Sequence, residues 1–201
     1  MKVTIIDYGA GNVPSVERAL QRLGAETERT NSLDGIAKAK ALLLPGVGHY
    51  AALVRALDEQ GMREPLVSAI QRGVPFLGIC LGLQVLFASS AESPQLRGLN
   101  LLPGKVCSLP ANVKLPHMGW NQIVANRESR LLEGIGSTAY FYFAHSYAAP
   151  NSNGSTTATC FHGAPFAAIV ERHNIYGVQF HPEKSGDSGS RLLQNFLRIA
   201  A

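Results

Sequence analysis

The chain has 201 residues, of which 46% are hydrophobic and 16% charged. This composition excludes a disordered chain and suits one packed core, so we expect a single domain over residues 1–201. The formal net charge is +4, but lysines and arginines are scattered, which disfavours a nucleic-acid partner. Three cysteines without CxxC spacing indicate a reducing compartment rather than a disulfide framework or a zinc site.

The first predicted element is a strand from Val3 to Asp7. Because this strand begins almost at the first residue, a signal peptide does not fit there. No apolar run reaches the ~20 residues that a membrane span needs. We therefore expect a cytoplasmic protein without a membrane partner.

Helices and strands alternate in the first half of the sequence. Asn12 is a plausible N-cap for a helix that runs through Leu23 and ends at Gly24. The pattern then predicts strands at 25–29 and 41–44 and helices at 50–58 and 62–72. This alternation indicates an α/β fold with a doubly wound, mostly parallel sheet and flanking helices. Active sites in such sheets lie beyond the carboxyl ends of the strands.

The segment from 74 to 84 reads Val-Pro-Phe-Leu-Gly-Ile-Cys-Leu-Gly-Leu-Gln. An apolar strand that ends in a cysteine between glycines, followed by a helical pattern to about Ala88, is typical of a nucleophile elbow. The start of that helix favours the thiolate form of Cys80. A free cysteine is more often a small apolar filler, so Cys80 needs further site residues before it is read as a nucleophile.

The second half of the sequence is rich in strands, which we expect to add antiparallel strands to the sheet. They are predicted at 105–109, 121–124, 139–143, 155–161, 166–171 and 175–180, with a turn at 151–154 and a closing helix at 188–199. Cys107 and Cys160 lie in two of these strands, and we interpret both as packing residues.

The run from Tyr176 to Ser185, Tyr-Gly-Val-Gln-Phe-His-Pro-Glu-Lys-Ser, supplies the missing parts of a site. Side chains two apart in an extended segment point the same way, so Glu183 can orient the imidazole of His181. Cys80 as nucleophile, His181 as base and Glu183 as orienting acid form a triad suited to acyl transfer. The histidine spacings do not match a metal site, and the glycine pairs do not match a phosphate loop. We expect no metal and no cofactor.

These motifs resemble the class I, triad-type glutamine amidotransferases, which have a flavodoxin-like fold. The resemblance covers almost the whole chain. Within the family it points to the glutaminase subunits of imidazole glycerol phosphate synthases, on the segments Ile6-Asp-Tyr-Gly-Ala-Gly-Asn12, Leu44-Pro-Gly-Val-Gly48, Leu115-Pro-His-Met-Gly-Trp-Asn121 and His145-Ser-Tyr147.

The resemblance implies that the chain hydrolyses L-glutamine to glutamate and ammonia through a thioester on Cys80. Acyl transfer needs hydrogen-bond donors for an oxyanion. The backbone N–H of Leu81 directly follows the nucleophile, and the family takes its second donor from the loop near Val47 and Gly48. By the same resemblance, the residues that hold the glutamine are Gln84, Ser146 and Tyr147, while His145 has a structural role.

The resemblance also implies a partner, the cyclase subunit of imidazole glycerol phosphate synthase, in a heterodimer. The cyclase would consume the ammonia and make imidazole glycerol phosphate and aminoimidazole carboxamide ribotide in histidine biosynthesis. Family segments that face the cyclase contain Trp120, Tyr142 and Lys184. The alternative for Trp120 and Tyr142 is that they are core aromatics.

Other functions remain open at this level. The chain could serve another ammonia-using synthase, such as that of pyridoxal phosphate or aminodeoxychorismate. Those glutaminases would lack the segments from Tyr8 to Asn12 and from Pro116 to Asn121. A non-catalytic regulatory module on the same fold would be expected to lose a triad residue, and all three are present. A cysteine peptidase is a further alternative.

Overall fold

A computed structural model describes residues 1–151 and 154–201. Within these ranges the helices are α1 (Val13–Arg22), α2 (Leu33–Ala37), α3 (Tyr50–Glu59), α4 (Arg63–Gln71), α5 (Leu81–Gln84) and α6 (Gly186–Ile199). The strands of the first half are β1 (Lys2–Ile6), β2 (Glu26–Thr30), β3 (Leu42–Gly46), β4 (Phe76–Cys80) and β5 (Phe87–Ser90). Those of the second half are β6 (Leu102–Ser108), β7 (His117–Gln122), β8 (Val124–Ala125), β9 (Tyr140–His145), β10 (Tyr147–Ala148), β11 (Thr156–His162), β12 (Ala164–Arg172) and β13 (Ile175–Val178).

In the described part of the chain, the main sheet contains eight strands in the order β2-β1-β3-β4-β13-β12-β11-β8. The strands from β2 to β13 pair in parallel, and β12, β11 and β8 add antiparallel neighbours. The predicted α/β class, with a mostly parallel sheet and antiparallel strands from the second half, is therefore confirmed. Two smaller sheets pair β7 with β9 and join β10, β6 and β5.

Helices cover both faces of the main sheet. Apolar residues of α1 and α6 pack on one face, where Val16 and Phe196 are fully buried. Helices α3 and α4 pack on the other, with Leu53 and Leu66 in the second core cluster. Strands β3 and β4 are buried along their whole length, as expected for parallel strands enclosed by helices on both faces. No helix in the described ranges is long and apolar enough to cross a membrane.

Several predicted boundaries were wrong. The helix after Cys80 was expected to reach about Ala88, but α5 ends at Gln84 and β5 begins at Phe87. Pairing of β5 with β6 competes with helix extension and takes over these residues. The short helix α2 was not predicted. The turn expected at 151–154 lies partly outside the described residues.

Candidate active site

Four neighbouring strands bring the residues of the candidate site together. Strands β1, β3, β4 and β13 are adjacent and parallel, so their carboxyl ends lie at one edge of the sheet. Asn12 follows β1, Cys80 ends β4, and His181 follows β13. Asn12 and Glu183, which are 171 positions apart in sequence, therefore meet at the edge where sheets of this type bind ligands.

Cys80 occupies a strained backbone position at the junction of β4 and α5. Its φ is +55° and its ψ is −106°, a conformation that non-glycine residues rarely adopt. A Cβ atom on Gly78 would lie 2.3 Å from the carbonyl oxygen of Gly82, and one on Gly82 would lie 2.0 Å from that of Leu44. Only glycine permits this close passage, as the elbow prediction required. Because α5 has a single turn, its dipole is smaller than that of the longer helix that we expected.

His181 lies between Cys80 and Glu183. Its Nδ1 is 3.0 Å from Glu183 Oε1, and His181 lines the same cavity as Cys80. We expected an extended segment from His181 to Glu183, but residues Pro182–Lys184 form a 3₁₀ turn. The turn still brings the carboxylate to the ring, so the pairing was predicted on the wrong backbone geometry.

The ionisation of this pair follows from its surroundings. Burial disfavours the charge on His181, but hydrogen bonds to Cys80 and Glu183 outweigh burial and raise the pKa of His181 to about 10. Burial alone would raise the pKa of Glu183, but the bond to His181 lowers it. The site therefore favours an imidazolium held between a carboxylate and the sulfur at neutral pH.

Asn12 has a role that its sequence position did not reveal. It is the N-cap residue of α1 but makes no side-chain capping bond. Its Nδ2 instead donates to Glu183 Oε1 at 3.0 Å. Asn12 therefore helps to hold the carboxylate that orients His181. The sequence carried no local signal for this contact.

A cavity of about 350 Å³ opens beside the sulfur. All predicted oxyanion and substrate residues line it, together with two of the triad residues: Val47, Gly48, Cys80, Leu81, Gln84, Ser146, Tyr147 and His181. The buried phenol of Tyr8 lies beside the loop that contains Val47 and Gly48. Burial raises the pKa of Tyr8 to about 12, and the Val47 backbone opposes the shift.

Gln84 and Gln179 form a buried amide pair in the floor of the cavity. Gln84 Nε2 donates to the carbonyl oxygen of Tyr147 at 2.7 Å and to Gln179 Oε1 at 3.0 Å. Gln179 Nε2 then donates to Cys80 Sγ at 3.6 Å. Sequence reasoning singled out Gln84 and missed Gln179, although Gln179 lies two residues before His181.

Trp120, Tyr142 and Lys184 form one surface group beside the cavity. The Trp120 and Tyr142 rings meet edge to face at 6.1 Å, and Lys184 Nζ lies 5.6 Å from the Tyr142 ring centroid. Trp120 is 55% exposed, so the alternative of a core aromatic was wrong for it. The backbone of Tyr142 also accepts a hydrogen bond from the His181 N–H.

Cys107 and Cys160 were expected to be packing residues, and His145 was expected to have a structural role. Cys160 is buried, and burial raises the pKa of its thiol to about 12, in keeping with a packing residue. Cys107 is exposed, so the packing interpretation was wrong for it. His145 is buried, and its Nδ1 bonds to the Tyr147 carbonyl. Among the described residues, no three potential metal ligands converge.

Comparison with known proteins identifies the family of the chain. The model of the family "Glutamine amidotransferase class-I" matches residues 4–200. An imidazole glycerol phosphate synthase subunit HisH from Methanothermobacter thermautotrophicus is 47% identical and covers 98% of each chain. The chloroplastic imidazole glycerol phosphate synthase hisHF of Arabidopsis thaliana is 42% identical over 97% of this chain and 34% of the plant protein.

A solved structure has the same fold. A crystal structure of a glutamine amidotransferase superposes with a TM-score of 0.79 at 21% identity, and covers 98% of both chains. The family match, the HisH relatives and the shared fold lead to one assignment. The chain belongs to the class I glutamine amidotransferase family, and within it to the HisH subunits of imidazole glycerol phosphate synthase.

Proposed function

We propose that this HisH-type glutaminase hydrolyses L-glutamine with Cys80 as nucleophile, His181 as acid and base, and Glu183 as the orienting carboxylate. One observation carries the proposal. A cysteine on a strained turn shares a cavity of about 350 Å³ with a histidine whose Nδ1 is 3.0 Å from a buried carboxylate. Nucleophile, base and orienting group are in the geometry that acyl transfer requires.

The reaction proceeds in two steps. The Cys80 thiolate attacks the side-chain carboxamide carbon, and the imidazolium of His181 gives its proton to the departing ammonia. Water, deprotonated by His181, then attacks the thioester and releases glutamate and the thiolate. The N–H of Leu81 and one from the loop at Val47 and Gly48 stabilise the oxyanion in both steps.

The buried amide of Gln84 is suited to hold the substrate. Its Nε2 is occupied by two acceptors, so its Oε1 is fixed in the opposite direction. That Oε1 is buried and has no hydrogen-bond partner among the described residues. A buried acceptor normally finds a donor, and the α-ammonium group of glutamine would supply one.

The ammonia is proposed to pass to a cyclase subunit in a heterodimer in the cytoplasm, for the histidine pathway. The plant relative supports a partner, because two-thirds of that polypeptide lies outside the region that matches this chain. The surface group of Trp120, Tyr142 and Lys184 supplies an exposed aromatic and a cation next to the cavity mouth. Aromatic anchors of this kind are enriched at interfaces.

The experiment measures glutamine turnover and covalent labelling on the same preparations. An electrophilic glutamine analogue should label Cys80 and spare Cys107, although Cys107 is exposed, because only Cys80 lies in the cavity. Cys80→Ala should reduce turnover to background while the circular dichroism spectrum stays unchanged. Cys107→Ala is the matched control and should retain full turnover. Label on Cys107 or Cys160 would refute the assignment.

The second arm adds the cyclase subunit and its nucleotide ligand. Turnover should be low for the chain alone and should rise with the partner, because completing one oxyanion donor is worth roughly 10²–10³ in rate. Trp120→Ala should lower the activation by a given cyclase concentration without changing the basal rate, because Trp120 does not line the cavity. Lys184→Ala should lower the same activation. Full activity of the isolated chain, unaffected by the cyclase, would exclude the heterodimer proposal.

A further inference from the structure

Gln179 is a buried polar residue next to the reacting sulfur that the mechanism above does not use. Its side chain is fully buried, and its backbone N–H is fixed by the Ala168 carbonyl. Its amide makes two contacts, to Gln84 Nε2 and to Cys80 Sγ. A buried amide is costly unless it is satisfied, and here both of its partners belong to the proposed reaction.

The direction of these hydrogen bonds is determined by chemistry. The Tyr147 carbonyl can only accept, so Gln84 must present its NH₂ group to it. The second hydrogen of that NH₂ group requires an acceptor, so Gln179 turns its Oε1 toward Gln84. Gln179 therefore has its own NH₂ group facing the sulfur at 3.6 Å. The sulfur receives a donor, which stabilises a thiolate.

A neutral histidine, His145, also holds the Tyr147 carbonyl, and a second neutral histidine, His117, holds His145. Burial lowers the pKa of His145 to about 3 and that of His117 to about 4. His145 Nδ1 must donate to the Tyr147 carbonyl, because that oxygen can only accept. The bare Nε2 of His145 then accepts from His117 Nδ1 at 3.1 Å. The carbonyl that orients both glutamines is therefore itself held in place.

We propose that Gln179 is a positioning residue of the glutaminase reaction, with a separate task for each end of its amide. Its NH₂ group holds the Cys80 sulfur and favours the thiolate. Its Oε1 holds the Gln84 amide so that the oxygen of Gln84 faces the substrate. This inference rests on the proposed function, but the first of its two tasks can be measured without glutamine.

The test uses two substitutions of similar size. Gln179→Met keeps the side-chain length and removes both polar contacts, and Gln179→Glu keeps the acceptor and replaces the donor by a carboxylate. Ile175→Ala, on the strand that leads to Gln179, is the control for lost packing. The rate of Cys80 alkylation by iodoacetamide is measured by mass spectrometry against pH. The exposed Cys107 serves as an internal reference in every sample.

The midpoint of Cys80 alkylation should move to higher pH by about one unit in Gln179→Met, the size expected for a lost hydrogen bond to a charged group. It should move further in Gln179→Glu, where a carboxylate repels the thiolate. His181, with Glu183 behind it, and Tyr8 interact with Cys80 or with its partner. Further titratable groups line the same cavity: Glu92, His145, Tyr147 and Lys184. All of these groups remain in each variant, so a shift relative to Ile175→Ala reports on position 179.

Glutamine kinetics in the presence of the cyclase test the second task. Gln179→Met should raise KM at least several-fold, since Gln84 is no longer fixed, as well as lowering kcat. An unchanged alkylation midpoint in folded Gln179→Met and Gln179→Glu, or an equal shift in Ile175→Ala, would overturn the proposal. A wild-type complex that alkylates at Cys80 but hydrolyses no glutamine would instead overturn the proposed function, and the midpoints would still decide the role of Gln179.

Discussion

Glu183 uses its two carboxylate oxygens unequally. Oε1 accepts from both His181 Nδ1 and Asn12 Nδ2, while Oε2 is buried without a partner among the described residues. The orienting geometry therefore needs only one oxygen. The second oxygen contributes to the negative charge that stabilises the imidazolium, so charge and geometry can be separated by mutation.

At this residue we predict that Glu183→Gln costs less activity than Cys80→Ala. The glutamine can keep an oxygen at the Oε1 position and place its nitrogen where Oε2 lies, so the ring stays oriented while the charge is lost. We expect kcat to fall roughly 10²- to 10⁴-fold, against loss to background for Cys80→Ala. Glutamine turnover with the cyclase present measures both. Equal losses in two folded variants would show that Glu183 does more than orient.

The elbow is the element that constrains the site most strongly. Strand β3, strand β4 and the single-turn helix α5 cross so closely that Gly78 and Gly82 have no room for a side chain. The carbonyl oxygen of Leu44 lies only 2.0 Å from the position that a Cβ of Gly82 would take, and backbone cannot move aside as a flexible side chain can. The backbone strain at Cys80 is maintained by this packing.

At the scale of this element we predict that Gly82→Ala destabilises the chain by about 3 kcal/mol or more, because the new methyl group must displace β3 or α5. Urea unfolding followed by circular dichroism measures the loss. Gly136→Ala is the matched control, since a Cβ there meets nothing within 4 Å and its φ is negative or extended. A Gly82→Ala protein as stable as the control would mean that the elbow is not tightly packed.

Histidines couple the stability of the whole molecule to pH in two opposite ways. Burial lowers the pKa of His117 and His145 to about 4 and about 3. Burial opposes the charge on His181, but Cys80 and Glu183 raise its pKa to about 10. Below pH 6.5, His117 and His145 bind more protons in the unfolded chain than in the folded chain. Above pH 6.5, His181 binds more protons in the folded chain than in the unfolded chain.

For the whole molecule we predict a free energy of unfolding that falls on both sides of pH 6.5. Keeping one histidine of the pair neutral costs about 2 kcal/mol at pH 5, and the loss grows as the pH falls toward 4 and then 3. The contribution of His181 is retained at these acidic pH values and is lost as the pH rises from 6.5 through 10.

Urea unfolding at pH 7, 6 and 5 tests the acidic side. His145→Gln removes one buried titrating group, so the variant should lose less stability between pH 7 and pH 5 than the wild type. His173→Asn changes an exposed histidine at a φ of +55°, a conformation that asparagine accepts, and should lose as much as the wild type. Equal losses of stability for His145→Gln and the wild type would contradict the lowered pKa of His145.

Local sequence was sufficient for the features that depend on near neighbours. The apolar run that ends at Cys80 between glycines, and the strand that ends at His181 and Pro182, predicted both segments of the triad. The alternation of strands and helices predicted the α/β sheet. These patterns carry information because burial and backbone conformation follow the spacing of residues a few positions apart.

Only the tertiary structure decided the contacts between distant segments. Asn12 meets Glu183 across 171 positions, and Gln179 meets Cys80 across 99. Pairing of β5 with β6 ended α5 after one turn. Cys107 is exposed, although its strand-like sequence suggested packing. Sequence alone predicted which residues could do the chemistry. The fold determined which polar groups support these residues. A hydrogen bond between two distant side chains depends on where the fold places both segments, and the local sequence pattern of one segment does not contain that information.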